Sequence, residues 1–473
     1  MIGTAGNTRS NHTDWLSVLV FIALMVIGWV NIYAAVYDES ATAGFAWGSQ
    51  YGMQLIWICA SLLVAGVILL IDKIYIHQWT YPIYVVLFLL LLSTLVIGKE
   101  VNGAKAWLVL GPVSLQPAEF MKFGVSLALA RYMSEYSFSL RNPSSLLGVG
   151  LLMALPMGVI MLQPDMGSAI VYCSFLVMFY REGLNEWIYY ILCVVVGVFI
   201  LSFFLTPSVL VLLLLLLCVV WQAIANRNPK ESIIYLAAVL LISGALYFGM
   251  NYLLMKEFSY YSALLWTVIP SLVPVAIYAF RERLHSIYAF MALLVGAILF
   301  SSAVDYVFND MLAIHQQKRI LDLLGIEQDT QNWGYNVNQS KIAIGSGGFS
   351  GKGFLEGTQT KYDFVPEQST DFIFCTVGEE WGFLGTTFVL ILFAVLILRL
   401  MRMGERQGEP FKRIYCYSVA GIFLFHVMIN VGMTIGLLPV IGIPLPLFSY
   451  GGSSLLAFTV LFFVAVKLDS GEE

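Results

Sequence analysis

Charged residues are scarce in this chain: Asp, Glu, Lys and Arg make up 11% of its 473 residues. A soluble domain carries about 25% charged residues, whereas 59% of this sequence is hydrophobic. The formal net charge is only −5, and no basic tract is present that would attract nucleic acid. These shortages exclude a soluble enzyme and a nucleic-acid-binding protein.

Metal-binding and nucleotide-binding patterns are also missing. There is no CxxC or HxxxH spacing, and all six cysteines fall inside apolar runs, which predicts small buried hydrophobes and no structural zinc site. The glycine-rich run 345–353 is not a Walker A motif, because Ser346 stands where the first glycine is required and Gly353 replaces the Ser or Thr. No cleavable signal peptide is expected, since the first apolar run, 15–36, is too long for one.

Apolar runs of about 20 residues recur along the whole chain, and each is long enough to span a bilayer. The sequence therefore predicts an all-α polytopic membrane protein with a single integral membrane domain over 1–473. The predicted membrane helices are 15–36, 52–71, 79–97, 116–133, 144–163, 166–181, 187–205, 208–226, 232–253, 261–280, 285–308, 371–400, 412–437 and 449–468, about fourteen in all.

The distribution of Lys and Arg predicts the topology of these helices. With the N-terminus in the cytoplasm, fifteen of these residues fall in inside segments, eight fall in outside segments, and Lys122 lies within a helix. Cytoplasmic loops carry an excess of Lys and Arg, so both termini are predicted to be cytoplasmic. The polar loop 309–370 and the loop Val101–Gln116 are then extracytoplasmic, away from cytoplasmic ATP.

The polar loop 309–370 is the longest polar stretch in an otherwise apolar chain. Long loops in compact proteins are usually functional or disordered. Its glycine run 345–353, with Lys341 and Lys352 nearby, has two readings: a flexible loop, or a backbone nest that approaches a phosphate or sugar closely. Asp371 follows the loop directly, at the start of a hydrophobic helix.

Ionisable residues within predicted membrane helices form a second set of candidates. Glu119 and Lys122 are three residues apart and share one helix face. They are either a pair at a helix end or a functional group at membrane depth. Asp165 lies at the outer end of a nearby helix, where it is expected to pair with Lys122. Glu379 and Glu380 either line a polar cavity or pack against the loop.

Proline and glycine recur between Gly436 and Ser453 and should interrupt the helices there. Non-helical backbone at membrane depth is tolerated where it is buried in protein or lines a wet cavity. This segment is therefore predicted to be broken or re-entrant and to lie beside a site. The residues by themselves leave two classes open, a transporter and a membrane-embedded transferase.

Five separated blocks of the sequence resemble the SEDS family of bacterial RodA and FtsW. The blocks are Asn102–Trp107 with Gln116–Lys122, Gln163–Gly167, His315–Arg319, Ala343–Asp371, and Asn430–Ser453. The amino-acid sequence of the segments Gly351–Gly353 and Gly357–Gln359 looks more like that of RodA members than that of FtsW members. The resemblance implies a SEDS-type helical bundle with a large extracytoplasmic catalytic loop, in the bacterial cytoplasmic membrane.

The resemblance also implies an activity: a peptidoglycan glycosyltransferase that polymerises lipid II for cell elongation and shape and releases undecaprenyl pyrophosphate. It implies a class B penicillin-binding protein as partner. Asp371 matches the family's catalytic aspartate, expected to act as general base, and Glu119, Lys122 and Asp165 match its polar membrane cluster. The pyrophosphate is expected to be stabilised by cationic side chains or by a divalent cation, Mg²⁺ or Mn²⁺. The further candidates for substrate binding are Lys105, Arg319, Gln339, Ser340, Lys341, Lys352 and Glu367.

The sequence departs from the family pattern in two ways. The family typically has ten membrane helices, so about four extra helices are predicted in an insert at 187–280, peripheral to catalysis. Ser369 stands where the family usually has His. Three other functions stay open at this point: a lipid II flippase that uses the Glu119–Lys122–Asp165 cluster, a non-catalytic scaffold for a penicillin-binding protein, and a division role like that of FtsW.

Overall fold

The computed structural model describes residues 13–37, 47–101, 103–111, 113–140, 142–226, 229–253, 257–281, 283, 285–311, 317–318, 321, 334–362 and 364–471. The chain divides into two compact units. The first unit joins residues 1–184 to residues 325–473, and the second consists of residues 185–324. The second unit contains the predicted insert and extends beyond it toward the C-terminus.

Helices account for most of both units. The first unit begins with α1 (Trp15–Ala35), α2 (Gln50–Leu70), α3 (Lys73–Gln78), α4 (Thr80–Ile97), α5 (Pro117–Met133), α6 (Pro143–Leu162), α7 (Met166–Ile170) and α8 (Phe175–Arg181). The second unit has α9 (Glu186–Phe204), α10 (Pro207–Asn226), α11 (Pro229–Phe248), α12 (Tyr260–Arg281) and α13 (His285–Tyr306). The first unit resumes with α14 (Tyr335–Ser346), α15 (Thr358–Lys361), α16 (Ile373–Arg406), α17 (Pro410–Thr434) and α18 (Gly452–Asp469).

Eleven helices in the described part of the chain are long and apolar enough to cross a membrane. Each of the fourteen predicted ranges contains helix, but three of them contain shorter or interrupted segments. They are the 17-residue α5, the pair α7 and α8 with a 3₁₀ turn between them, and α10, whose apolar stretch is described over Pro207–Val220. The protein is an all-α polytopic membrane protein, as predicted.

The core of the first unit surrounds α17 and α18. Within their apolar windows, 78% of α17 and 67% of α18 is buried, far more than in α2 or α4. Phe21 of α1 stacks on Phe462 of α18 with ring centroids 4.5 Å apart. Such aromatic pairs add to the free energy of area burial. Two of the cysteines, Cys375 and Cys416, are buried as predicted. The prediction is wrong for three others, which are exposed: Cys59, Cys173 and Cys193.

Basic side chains gather at the end of the first unit where α1 begins and α16 and α18 end. Asp14 caps α1 and accepts a hydrogen bond from Arg399 Nε at 3.0 Å. Burial by itself would raise the pKa of Asp14, but the Arg399 and Ser17 hydrogen bonds and the Arg399 charge hold that pKa below its ordinary value. Arg406 bridges Asp14 and Asp469. The helix ends are therefore tied together by ion pairs here.

The other end of the same helices carries the candidate site. Gln368, just before α16, donates a hydrogen bond to the carbonyl of Ala35 at the end of α1, at 2.8 Å. Gly451, just before α18, donates to Gln54 Oε1 near the start of α2, at 3.3 Å. Asp371 thus lies at the opposite end of the first unit from Asp14.

The predicted loop Val101–Gln116 contains a small antiparallel sheet, β1–β2–β3, over Lys99–Val101, Ala104–Leu110 and Val113–Leu115. Ser453 Oγ at the start of α18 donates to the Ser114 carbonyl at 3.0 Å and accepts from Gln116 N at 3.2 Å. The sheet therefore covers the start of α18, at the same end of the unit as Asp371.

The second unit has its own core, formed by apolar side chains of α9 to α13. The buried members include Val198, Leu214, Val268, Leu294 and Ile298. Helix α12 is unusual because it contains two prolines, Pro270 and Pro274. Each proline lacks the N–H group for one helical hydrogen bond.

Candidate active site

Asp371 occupies the last turn before α16, and its side chain is partly exposed. The turn is built on Glu367, which has a left-handed φ of 55°. The Glu367 carbonyl accepts hydrogen bonds from Thr370 N and Phe372 N, both at 3.2 Å. Two amides converging on one carbonyl fix the backbone on both sides of Asp371.

Asn430, four residues before the end of α17, fixes the backbone of Asp371. Its Nδ2 donates to the Asp371 carbonyl at 2.8 Å and to the Ile443 carbonyl at 2.8 Å. The side chain is fully buried. Sequence reasoning gave Asn430 little weight, although an amide within an apolar helix is a usable signal, since a buried polar group needs partners.

The prediction of a broken segment between α17 and α18 is confirmed, because residues 435–451 contain no helix. Gly442 has a φ of +75°, and a Cβ on it would lie 3.4 Å from Asp371 Oδ2. Ser449 Oγ donates to the Thr370 carbonyl at 2.6 Å, and Tyr450 N donates to the Ser369 carbonyl at 2.8 Å. We call residues 435–451 the broken segment; it forms one wall beside the Asp371 carboxylate.

Asp165 lies on the other side of the same segment. A Cβ on Gly167 would lie 2.8 Å from the Ile441 carbonyl oxygen and 3.5 Å from that of Gly442. The Asp165 carboxylate caps α7 through Ser168 N at 2.9 Å and also accepts from Ser168 Oγ at 2.8 Å. Residues 441–442 therefore touch both the Asp371 turn and the Asp165 turn.

The predicted pairing of Asp165 with Lys122 is wrong. The carboxylate of Asp165 is taken up by the α7 cap and by Gln116 Nε2 at 3.0 Å. Lys122 Nζ instead donates to Glu119 Oε2 at 2.8 Å and lies 3.0 Å from His426 Nε2. A cap at a helix N-terminus satisfies backbone N–H groups that no other residue can reach, which explains why Asp165 stays there.

The Glu119–Lys122 pair is sealed inside the bundle. The exposed fraction is 4% for Glu119 and 1% for Lys122. The Lys122 ammonium also lies 5.1 Å from the centroid of the Phe458 ring. His426, read from the sequence as a hydrogen-bonded core residue, connects this pair to the broken segment, since its Nδ1 lies 3.2 Å from the Pro444 carbonyl. The pair therefore supports the broken segment from within the membrane.

Lys352 forms an ion pair with Glu379 of α16, with 2.6 Å between Nζ and Oε1. The fully buried Glu379 carboxylate also accepts hydrogen bonds from the amides of Gln359 and Thr360, both at 2.9 Å. Further bonds reach it from three hydroxyl groups, those of Ser346, Thr358 and Thr360. Glu379 thus packs against the loop, one of the two readings of the sequence, and anchors residues 346–360.

The glycine run 345–353 binds α16 through its backbone. Helix α16 is interrupted at Gly382, where φ is +63°. The Glu379 and Glu380 carbonyls accept from Lys352 N and Gly353 N at 3.0 Å each. Phe383 N and Leu384 N in turn donate to two carbonyls of the run, those of Gly348 and Phe349. The amides of Lys352 and Gly353 are therefore occupied by the helix, which disfavours the phosphate-nest reading there.

Glycine is required in this run because the two backbones touch. A Cβ on Gly347 would collide with the Gly378 carbonyl, and one on Gly351 would collide with the Glu380 carbonyl. The run is therefore a clamp on the kinked helix that begins next to Asp371.

The remaining predicted residues lie at several places. Ser340 is buried, and its Oγ donates to the Thr434 carbonyl at 2.9 Å, whereas Gln339 is partly exposed on the same helix. Lys341 extends across Gly436, at the start of the broken segment. Lys105 is exposed on β2. Arg319 lies outside the described residues.

Burial and the neighbouring Glu367 carboxylate raise the pKa of Asp371 to about 6. A carboxylate with a pKa near the working pH is suited to accept a proton from a hydroxyl group. Among the described residues, no group of three or more His, Cys, Asp or Glu side chains is placed to hold a metal ion. The Asp371 and Glu367 pair is the kind of donor set that Mg²⁺ uses when phosphates supply its other ligands.

The fold and this site define a class: a multi-pass membrane protein with a carboxylate of raised pKa beside broken helix backbone at one end of the bundle. Comparison with known proteins adds the family. A family model of cell cycle proteins, FtsW, RodA and SpoVE, matches residues 14–216 and 202–472. The chain belongs to this family.

Two curated relatives match along nearly the whole chain. Peptidoglycan glycosyltransferase RodA of Treponema pallidum (strain Nichols) is 32% identical, over 93% of this chain and 94% of that protein. Peptidoglycan glycosyltransferase MrdB of Escherichia coli (strain K12) is 27% identical, over 97% of this chain and 93% of that protein. These names support the enzyme class expected from the sequence blocks.

Solved structures show the same fold. A chain from a peptidoglycan synthase complex that coordinates polymerization and crosslinking superposes with a TM-score of 0.60, at 23% identity and 97% coverage of both chains. The rod-shape-determining protein RodA of Thermus thermophilus gives a TM-score of 0.54 at 22% identity, over 98% of both chains. The protein is thus a multi-pass bacterial membrane protein of the RodA type.

Proposed function

We propose that this protein is a peptidoglycan glycosyltransferase that polymerises lipid II during cell elongation, with Asp371 as its general base. The observation that carries the proposal is the carboxylate of Asp371 itself. It is partly exposed, its pKa is raised to about 6, and its backbone is fixed by the Glu367 turn and by Asn430. The sequence blocks and the names of the relatives supply the reaction class.

In the proposed step, the acceptor hydroxyl of one sugar attacks the anomeric carbon of the donor. The new C–O bond forms while the bond to the pyrophosphate breaks, and the hydroxyl proton passes to the Asp371 carboxylate. The pyrophosphate leaves without needing an acid, because it is already a stable anion. A single direct attack inverts the α-linked donor to a β-linked product, so no covalent enzyme intermediate is required.

The departing pyrophosphate needs positive charge nearby. Lys341 is exposed and crosses Gly436 at the start of the broken segment, which makes it our first candidate among the described cations. Lys105 is the second. We leave Lys352 out, because its charge is matched by Glu379. A divalent cation held by Asp371 and Glu367 would neutralise the pyrophosphate in the same way, and adding EDTA to the polymerisation assay tests whether one is needed.

We place the Asp371 end of the bundle outside the cytoplasm. The support is the clustering of Arg399 and Arg406 with Lys73 at the opposite end, since Lys and Arg concentrate on the cytoplasmic side. A class B penicillin-binding protein is the proposed partner, because a structural relative belongs to a peptidoglycan synthase complex.

The flippase alternative would use the membrane-embedded cluster as a passage. Its central pair, Glu119 and Lys122, is almost fully buried and packed against His426 and Phe458. Charges that move a substrate line a water-filled cavity, so this packing favours the enzyme.

The test is a gel assay for glycan polymer with purified protein and lipid II, alone and with the penicillin-binding protein. Asp371→Asn should abolish polymer, and Glu356→Gln, an exposed carboxylate of the same loop, should leave it unchanged. Near-normal polymer formation by the Asp371→Asn variant would refute the role of Asp371 as general base. Lack of polymer from the wild type in both conditions would refute the glycosyltransferase itself.

A further inference from the structure

The second unit contains a cavity that the proposed reaction does not use. It has a volume of about 710 Å³ and lies between α10, α11, α12 and α13. Its apolar lining includes Leu215, Val239, Ile242 and Leu294. Along the apolar part of these walls ordered water finds no polar partners. An apolar group is its physically favoured occupant.

The cavity opens toward the surroundings of the protein through apolar side chains. Trp266 is 70% exposed, Ile234 is 68% exposed and Ile242 is 53% exposed, and all three line the cavity. These side chains belong to α11 and α12, two of the helices long and apolar enough to span a membrane. The opening therefore faces lipid acyl chains.

Helix α12 contributes two prolines, Pro270 and Pro274, to the cavity wall. Each lacks the N–H that would bond the carbonyl four residues earlier, and its ring displaces that turn of helix. The two helices stay in contact along the cavity, since Tyr235 Oη of α11 lies 2.8 Å from Ser271 Oγ of α12. Ser243 Oγ lies 3.4 Å from Tyr260 Oη at one end, and the Tyr278 hydroxyl donates to Glu231 at the other.

The charged and amide groups of the lining lie at one end of the cavity, whereas the hydroxyl groups of Tyr235, Thr267 and Ser271 lie farther along it. Gln222, Glu231 and Tyr278 lie within a few residues of the end of α10, the start of α11 and the end of α12. Exposed cations, Lys230 and Arg281, border the same end. A carboxylate next to exposed cations is complementary to a head group that carries an ammonium and a phosphate.

The length of the cavity matches one leaflet of a membrane. Glu231 and Ile242 both line it and are eleven residues apart on α11, which corresponds to about 16 Å along a helix. The hydrocarbon core of a bilayer is about 30 Å thick, so the cavity extends from the helix ends to about the middle of the membrane. This is the depth that a single acyl chain reaches from a head group at the surface.

We propose that the second unit holds one phospholipid of the leaflet at the Glu231 end. One acyl chain occupies the cavity between α11 and α12, and an ammonium-bearing head group, as in phosphatidylethanolamine, binds at Glu231 and Tyr278. This site is independent of the Asp371 chemistry, so it stands or falls separately from the glycosyltransferase proposal.

Two neighbouring alanines of α11 provide a matched pair of variants. Ala238 lines the cavity, whereas Ala237 is exposed and does not line it. We expect native mass spectrometry of the purified full chain, incubated with phosphatidylethanolamine, to show one tightly held lipid. Ala238→Trp should lower its occupancy about tenfold or more, and Ala237→Trp should retain it. Equal retention by the two variants would overturn the proposal.

The head-group assignment has its own measurement. Phosphatidylethanolamine should be preferred over phosphatidylglycerol in a competition experiment, and Glu231→Gln should reduce that preference several-fold. No preference in the wild type, or a retained mass that corresponds to a polyprenyl phosphate, would contradict the proposal.

A third experiment needs no variant and therefore does not depend on variants that fold. The wild-type chain in nanodiscs is photolabelled with phosphatidylethanolamine that carries a diazirine near the end of one acyl chain. Label should appear at Val239 and Leu294, which line the cavity and are buried. Label confined to outward positions such as Leu241, which is 74% exposed, would exclude a bound chain in the cavity.

Discussion

Glu379 and Glu380 are adjacent, equally buried carboxylates on α16 with very different surroundings. Glu379 forms an ion pair with Lys352 and accepts hydrogen bonds from two backbone amides and three hydroxyl groups. Glu380 accepts one side-chain hydrogen bond, from Leu355 N at 3.2 Å, and its Oε2 has no partner among the described residues. The substitutions Glu379→Gln and Glu380→Gln therefore compare a carboxylate that has many hydrogen-bond partners with one that has a single partner.

The expected magnitude follows from these contacts. A glutamine at 379 keeps one acceptor oxygen. Its NH₂ group replaces the other carboxylate oxygen and faces hydrogen-bond donors that no longer have an acceptor. Breaking a buried ion pair by removing one partner costs about 3–5 kcal/mol. Lys352 is 27% exposed and regains some hydration, so we expect the lower part of this range. About 3 kcal/mol corresponds to roughly a hundredfold increase in local opening. At 380 we expect almost no change, since little is lost there.

Hydrogen exchange measures this opening directly. The amides of Gln359 and Thr360 donate to Glu379, so exchange of the peptide around 357–361 should accelerate about a hundredfold in Glu379→Gln. The same peptide should exchange at the wild-type rate in Glu380→Gln. Glycan polymerisation should fall with Glu379→Gln, because the loop leads into Asp371. Equal exchange in the two variants would show that Glu379 does not anchor the loop.

Three further predictions concern the site and its surroundings. The polymerisation rate should fall as the pH drops through about 6, where the Asp371 carboxylate becomes protonated. Burial is the larger cause of this raised pKa and the Glu367 charge is the smaller one, so Glu367→Gln should move the limb to lower pH by only part of the shift; an unmoved limb would contradict this. Glu119→Gln should destabilise the protein by about 3–5 kcal/mol, since it removes the carboxylate that pairs with a buried ammonium, and an unchanged thermal stability would show that the buried lysine does not depend on this pair. A single cysteine at Ser350, in a chain without the native cysteines, should react with a membrane-impermeant thiol reagent in whole cells; reaction only after lysis of the inner membrane would invert the topology.

The sequence determined which segments become membrane helices. Each apolar run near 20 residues can satisfy its backbone in lipid only as a helix, and helix is present in every predicted range. It also determined where helix stops, because the prolines and glycines between Gly436 and Ser453 cannot continue one. Asp371 was identified through its sequence block and its place at a helix start. These features depend on local chemistry alone.

Only the tertiary structure decided which buried groups meet. His426 reaches Lys122 from 304 residues away, and Asp165 turns to its own helix cap instead. By its sequence the glycine run resembles a ligand-binding loop. In the structure its backbone instead forms hydrogen bonds with carbonyls and amides of α16 around the kink at Gly382. A buried polar group takes whichever partner the packing of other helices brings within about 3 Å. That distance depends on the whole bundle, and no local pattern of residues encodes it.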